Sequence, residues 1–279
     1  MAFPRSKNIR FTQSFNRIST ISSNVVKSTF KQVYSYLLLL FFALLIWFSP
    51  DCSLFAFGDE LRLATETCFS TILLGSLTLS LLACCGSIQE EIESKTLLTL
   101  IAKPMSRHEF VLGKFLGAVI ISLISTLFLV AVFCVMAKTR VLETATQSEL
   151  KIILTTDQGL GVFLLFLESI VVLAFSIMMA PFFNLQLNFC LSIAFMIVCN
   201  ISHLAEAIFA TGDGILNFVF HGIFYFIPDF TIYNLGDLLA KGFVVPNLLV
   251  YTATAFLYTV CFLSVILSVA ILIFSRKEI

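Results

Sequence analysis

The sequence predicts an all-α fold: a polytopic transmembrane helix bundle of six spans, with both termini cytoplasmic and a short re-entrant or interfacial segment before the last span. Three observations predict it. Hydrophobic residues fill 59% of the 279 positions and charged residues only 12%, where a soluble domain carries roughly 45–50% and about 25%. Burying that much apolar surface in water needs a core larger than the chain can enclose, so lipid is the natural solvent. Apolar runs of span length recur six times, and about 20 apolar residues cross a hydrocarbon layer roughly 30 Å thick. Backbone groups in lipid must bond internally, which makes each span a helix. Lysine and arginine, finally, gather in alternate connecting segments.

The first 32 residues form a basic N-terminal segment. Ile18, Ile21, Val25, Val26 and Phe30 recur at roughly helical spacing, with Lys27 and Lys31 on other faces. That pattern fits an amphipathic helix on the inner leaflet, and a partly disordered basic tail is the alternative. The basic region is too long for a cleavable signal, and no small-residue cleavage pattern follows Trp47-Phe48-Ser49-Pro50.

Residues 33–279 hold the spans. The first, 33–49, stops before Pro50 and borrows a turn from Lys31-Gln32. The second and third, 68–88 and 115–137, contain no charge, and the fourth, 160–183, contains only Glu168. The fifth and sixth cover 185–204 and 248–274. Residues 215–227 are apolar but end at Pro228-Asp229, too short to span, which fits a re-entrant or interfacial segment.

Orientation follows from the basic residues. With the N-terminus inside, the inner segments hold Arg5, Lys7, Arg10, Arg17, Lys27, Lys31, Lys95, Lys103, Arg107, Lys114, Arg276 and Lys277. The outer segments hold only Arg62, Lys138, Arg140, Lys151 and Lys241. A seventh span would place the Arg276-Lys277 tail outside, against this bias. The formal net charge is zero, which leaves no electrostatic case for nucleic acid.

Catalytic signatures are largely absent. There is no H-E-x-x-H and no G-x-S-x-G. His108, His203 and His221 are scattered, and Gly212-Asp213-Gly214 reads as a turn. Gly113-Lys114 lacks the upstream glycine of a phosphate-binding loop, so the chain carries no ATPase site of that kind. Cysteines lie mostly in or beside spans, only Cys52 being clearly on the outer side, which argues against a disulfide framework. Adjacent Cys84-Cys85 lack the spacing of zinc or cluster motifs, so no metal is expected.

The most informative stretch is 87–117, SIQEEIESKTLLTLIAKPMSRHEFVLGKFLG. Glu90, Glu91 and Glu93 precede an apolar set at Leu97, Leu98, Leu100 and Ile101. Lys103-Pro104 ends that helical stretch, because proline disfavours helix in the residue before it. Ser106-Arg107-His108-Glu109 then reads as a capping box opening the third span. So structured a loop suggests a docking surface.

These residues resemble the signature of the ATP-binding-cassette (ABC) type-2 permeases, in particular the branch of multi-copper enzyme maturation and gliding-type permease components. That signature runs through an acidic pair, Thr-Leu, Pro-x-Ser-Arg and Gly-Lys, matched here by Glu90 and Glu91, Thr96 and Leu97, Pro104, Ser106 and Arg107, and Gly113 and Lys114. Pro228-Asp229-Phe230 with Tyr233-Asn234, and the ending Phe274-Ser275-Arg276-Lys277-Glu278, resemble the family more loosely. The resemblance implies that residues 89–109 hold a coupling helix docking on a separate ABC ATPase subunit. Glu90, Glu91, Thr96, Leu97, Leu100, Ile101, Pro104, Ser106 and Arg107 would form that surface. It implies a homo- or heterodimer of permease chains in a bacterial inner membrane, exporting substrate. ATP and Mg would sit on the partner subunit, with no cofactor on this chain.

Two features stand outside the loop. Gly113-x-x-x-Gly117 is a small-residue pair that lets helices approach closely. Glu168 lies near mid-membrane, where a charge costs on the order of 3 kcal/mol. A neutral carboxyl bonded to another helix and a functional group are both open. Aromatic residues of 218–230, with Tyr225 and Tyr233, fit an external gate or an interfacial belt. The competing readings are an integral membrane enzyme acting on lipid through Glu168 or Glu206, and a non-catalytic assembly factor. The lack of convergent His, Asp or Ser motifs argues against the enzyme.

Overall fold

The computed structural model describes residues 6–52, 60–93, 107–144, 156–209, 228–234 and 247–276. These form α1 (Ser6–Lys31), α2 (Val33–Cys52), α3 (Glu60–Glu93), α4 (Arg107–Thr144), α5 (Thr156–Met179), α6 (Leu185–Phe209), a 3-10 turn (Phe230–Tyr233) and α7 (Leu248–Arg276). Among the described residues, the six helices α2 to α7 are long and apolar enough to cross a membrane. The loop residues Thr96, Leu97, Leu100, Ile101, Pro104 and Ser106, and the stretch 215–227, lie outside the described residues.

The spans start and stop where local chemistry changes. α2 begins after a bend at Gln32, so it takes no turn from Lys31-Gln32. The Ser35 hydroxyl donates to the Thr29 carbonyl at 2.7 Å and closes that bend. At its other end α2 runs through Pro50 to Cys52 rather than stopping at Ser49. Proline this near a C-terminus removes one amide bond without breaking the preceding turns.

α3 and α4 are longer than their apolar runs. They contain 34 and 38 residues, about 51 and 57 Å at 1.5 Å per residue. Both overshoot a hydrocarbon layer of roughly 30 Å. The acidic Glu90, Glu91 and Glu93 are therefore the last turn of α3, continuous with the span. α5 ends at Met179, four residues before the expected end at Phe183, in a turn over Ala180–Phe183 that contains Pro181. The short connection returns α6 antiparallel against α5.

α3 and α5 are the most buried spans and α7 the least. The largest apolar cluster joins α3, α4, α5, α6, the 3-10 turn and α7 through Leu77, Leu81, Phe115, Leu164, Leu173 and Phe230. A second, around Ile46, Ile72 and Leu129, ties α2 to α3 and α4. Leu37, Phe41 and Phe48 of α2 and Leu249, Leu257 and Leu272 of α7 are exposed. Such faces are costly in water and natural in lipid.

α1 packs against α4 and runs in the same direction. Arg17 meets Glu109, Ile21 meets Gly113, and Val25 meets Gly117. A Cβ on Gly113 would lie 2.8 Å from the Ile21 Cβ, and one on Gly117 would lie 2.9 Å from the Val25 Cβ. The small-residue pair is thus the seat of the N-terminal helix.

Candidate functional site

The helix ends meet at what we call the loop end of the bundle. Phe110, in the first turn of α4, lies with its ring 6.2 Å from that of Phe274, near the end of α7. The last turn of α3 and the middle of α1 reach the same place. α3 ends and α4 begins here, at Glu93 and Arg107.

Lys114 organises this end. It is buried at 3% exposure. Its Nζ donates to Glu91 Oε1 at 2.8 Å and to the Ser87 carbonyl at 3.0 Å, and lies 5.6 Å from the centre of the Phe110 ring. The sequence pattern counted Lys114 as one more basic residue of an inner segment, but an ammonium buried to this degree needs such partners. Glu91 is thereby turned inward, whereas its neighbour Glu90 is exposed. Glu109, the last residue of the expected capping box, is itself buried and lies 3.6 Å from Arg17 of α1. Arg107 is the first residue of α4.

A second polar centre lies at mid-span. Glu168 sits about 17 Å from either end of α5 at 1.5 Å per residue, and is 2% exposed. Asn200 of α6 donates from Nδ2 to Glu168 Oε1 at 2.8 Å and to its own Met196 carbonyl at 3.1 Å. The 3-10 turn reaches the same depth. Asp229 caps it, its carboxylate accepting from the Thr231 amide at 3.0 Å and hydroxyl at 2.7 Å. Tyr233 and Thr259 share a hydroxyl hydrogen bond of 2.8 Å, and Tyr251 donates to the Ile232 carbonyl at 2.7 Å. Phe230 packs edge-on to Phe195, which stacks on Phe175 at 4.0 Å. Phe230 and Tyr233 are fully buried, so 228–234 dips into the bundle, and Tyr233 is an interior group rather than part of a surface belt.

Glu168, Asn200 and Tyr233 line a cavity of about 280 Å³. Glu66, Phe69 and Ser70 of α3 line it too, so it extends from mid-span toward the end opposite Lys114.

Further polar ties hold the inner helices. Asn188 of α6 donates to Cys85 Sγ at 3.2 Å and to the Ser176 carbonyl at 3.1 Å, while the Ser176 hydroxyl lies 3.2 Å from Cys85 Sγ. The Ser122 and Ser169 hydroxyls pair at 3.0 Å across α4 and α5. Cys85 is thus a hydrogen-bonded packing residue. Among the described residues no group of three His, Cys, Asp or Glu could hold a metal ion. The side chain of Glu206 on α6 lies outside the described residues.

Sequence reasoning missed Asn188 and Asn200. The available signal was an amide inside an apolar span, which in lipid demands a partner on another helix.

The whole chain also matches a known family. Residues 6–279 fit the family model described as ABC-2 family transporter protein. No curated protein matches the chain.

Proposed function

The chain belongs to the ABC-2 family of transporter proteins, and from that premise we propose that it is the permease subunit of an ABC exporter driven by a separate ATPase. Membership makes it a membrane component of an ABC transporter. The finer reading rests on the loop end. There the Lys114–Glu91 pair at 2.8 Å joins the end of α3 to the start of α4, on either side of the segment that carries Leu97, Leu100 and Ile101. A segment anchored at both bases moves its two helices together when pushed, whereas a slack connector absorbs the push.

In this reading the partner binds ATP and Mg, and this chain binds neither. Two ATPase subunits close on ATP and press the 94–106 segments of two permease chains. The force enters α3 and α4 through Glu91 and Lys114, and α1 follows α4 through the Gly113 and Gly117 contacts. The inner helices then tilt, exposing the bundle alternately to each side. The family signature at Glu90 to Lys114 supports the multi-copper maturation and gliding-type branch. The basic-residue bias supports cytoplasmic termini in a bacterial inner membrane. The test is recovery of an ATPase subunit with the tagged chain from detergent extracts, followed by ATPase assay. A well-extracted chain that recovers none removes the central support.

A further inference from the structure

We propose that the cavity beside Glu168 is a binding site for an organic ammonium group, the carboxylate taking the positive charge and the apolar wall taking the attached carbon chain. The cavity of about 280 Å³ is lined by Glu168 and Glu66, and no lysine or arginine lines it among the described residues. Glu168 is 2% exposed. Among the described residues its one hydrogen-bond partner is Asn200, on Oε1. Among the described residues Oε2 accepts no hydrogen bond, and Glu168 lines the cavity. Among the described residues this carboxylate meets no countercharge, and a cation entering the cavity supplies one.

The rest of the lining selects the kind of cation. Phe69, Leu165 and Met196 make much of the wall apolar, which suits a carbon chain and not a hydrated inorganic ion. Asn200 and Tyr233, which also line the cavity, carry oxygens of the kind that accept ammonium protons. An anion would meet the Glu168 carboxylate. A divalent metal would want six or more oxygens at close range, and no group of three His, Cys, Asp or Glu gathers among the described residues. A lipid headgroup and a free amine both carry such an ammonium, and the recognising chemistry is the same.

The experiment uses the full chain in nanodiscs of phosphatidylglycerol, titrated with n-hexylammonium and, as a neutral match, n-hexanol. A ligand that binds only the folded chain raises its Tm in a saturable way. The expected result is a saturable rise with n-hexylammonium, none with n-hexanol, and about tenfold weaker binding in Glu168→Gln. Glu66→Gln, at the half-exposed rim, is expected to weaken binding several-fold and carries the test should Glu168→Gln not fold. Repeating the titration in discs containing phosphatidylethanolamine separates the sources. Competition assigns the site to a lipid headgroup, and an unchanged curve assigns it to a free amine. No saturable response in the wild type, or an equal response in the folded glutamine variants, overturns the proposal. Binding is read on this chain alone, so a failure here leaves the ATPase-coupled reading standing, and a failure to recover an ATPase leaves this site standing.

Discussion

Lys114 Nζ and Glu91 Oε1 lie 2.8 Å apart, 23 residues apart in sequence, and join the last turn of α3 to the second turn of α4. The pair predicts a coupled mutational response. Glu91→Gln keeps a carbonyl acceptor for the buried Lys114 ammonium but removes its countercharge, leaving it only neutral acceptors there and at the Ser87 carbonyl, 3.0 Å away, at a cost of about 2 kcal/mol. Lys114→Met costs a similar amount by stranding the carboxylate. The double variant is expected to lose clearly less than the sum, because the second change removes a group already stranded. Thermal unfolding of the four proteins in one detergent checks it, and additive losses would mean the two residues act separately.

The α1 seat predicts a steric response. At Gly113 and Gly117 the nearest atoms are the Cβ of Ile21 and of Val25. A Cβ cannot rotate away, so Gly113→Ala and Gly117→Ala must push the α1 backbone off α4. Each is expected to cost about 1–3 kcal/mol, with α1 becoming accessible to protease while the spans stay inserted. Gly159, with nothing within 4 Å of an added Cβ, is the control, and Gly159→Ala should leave α1 protected.

The bundle was largely legible in the sequence because lipid leaves the chain few choices. Six apolar runs gave six helices. Hydropathy reports only the lipid-facing portion, however, so it missed how far α3 and α4 continue as helix beyond it. It also placed the end of the fourth span at Phe183, where the turn around Pro181 stops α5 at Met179. Glu168 stood out as the lone charge of its span, but its partner Asn200 did not. Which face of α6 meets α5 depends on a register that periodicity in two nearly all-apolar helices cannot fix. The burial of Lys114 against Glu91 was not legible either, because it depends on how the ends of α3 and α4 pack, which no local pattern reports.

The mid-span pair predicts an asymmetry. Glu168→Gln keeps a carbonyl oxygen where Asn200 donates at 2.8 Å, so the α5–α6 contact is expected to survive. Asn200→Leu leaves the carboxyl without that donor, in an environment where unpartnered polar groups are expensive. Detergent-solubilised Asn200→Leu should therefore unfold well below both the wild type and Glu168→Gln. Equal stability of all three would show that the hydrogen bond contributes little.

Topology is testable with the chain's own Cys52. In a background without other cysteines, an impermeant thiol reagent is expected to label Cys52 in intact cells. Cysteines placed at Lys103 and Lys277 should react only after the membrane is opened. External labelling at position 277 would mean an odd number of crossings and assign a span to the region before α7.

The last prediction separates docking from coupling. Leu97, Leu100 and Ile101 supply apolar anchors in a segment of helical spacing, and a short helix in a groove binds through such anchors. Glu91 belongs instead to the staple beneath the segment, held by Lys114 at 2.8 Å. The two classes should fail differently. Truncating a buried anchor commonly costs 1 kcal/mol or more, on the order of tenfold in affinity. Leu100→Ala is therefore expected to reduce ATPase recovery in a pull-down. Glu91→Gln removes charge below the contact surface, so it should recover the ATPase nearly as well while the substrate-dependent part of its activity falls. Both sites lie outside the apolar runs 68–88 and 115–137, and membrane insertion should be normal in both. Lost recovery with Glu91→Gln and full recovery with Leu100→Ala would reverse the roles, making the acidic turn the docking surface. Wild-type behaviour of both would move the contact off this loop, with exposed α1 around Phe15 the next surface to truncate.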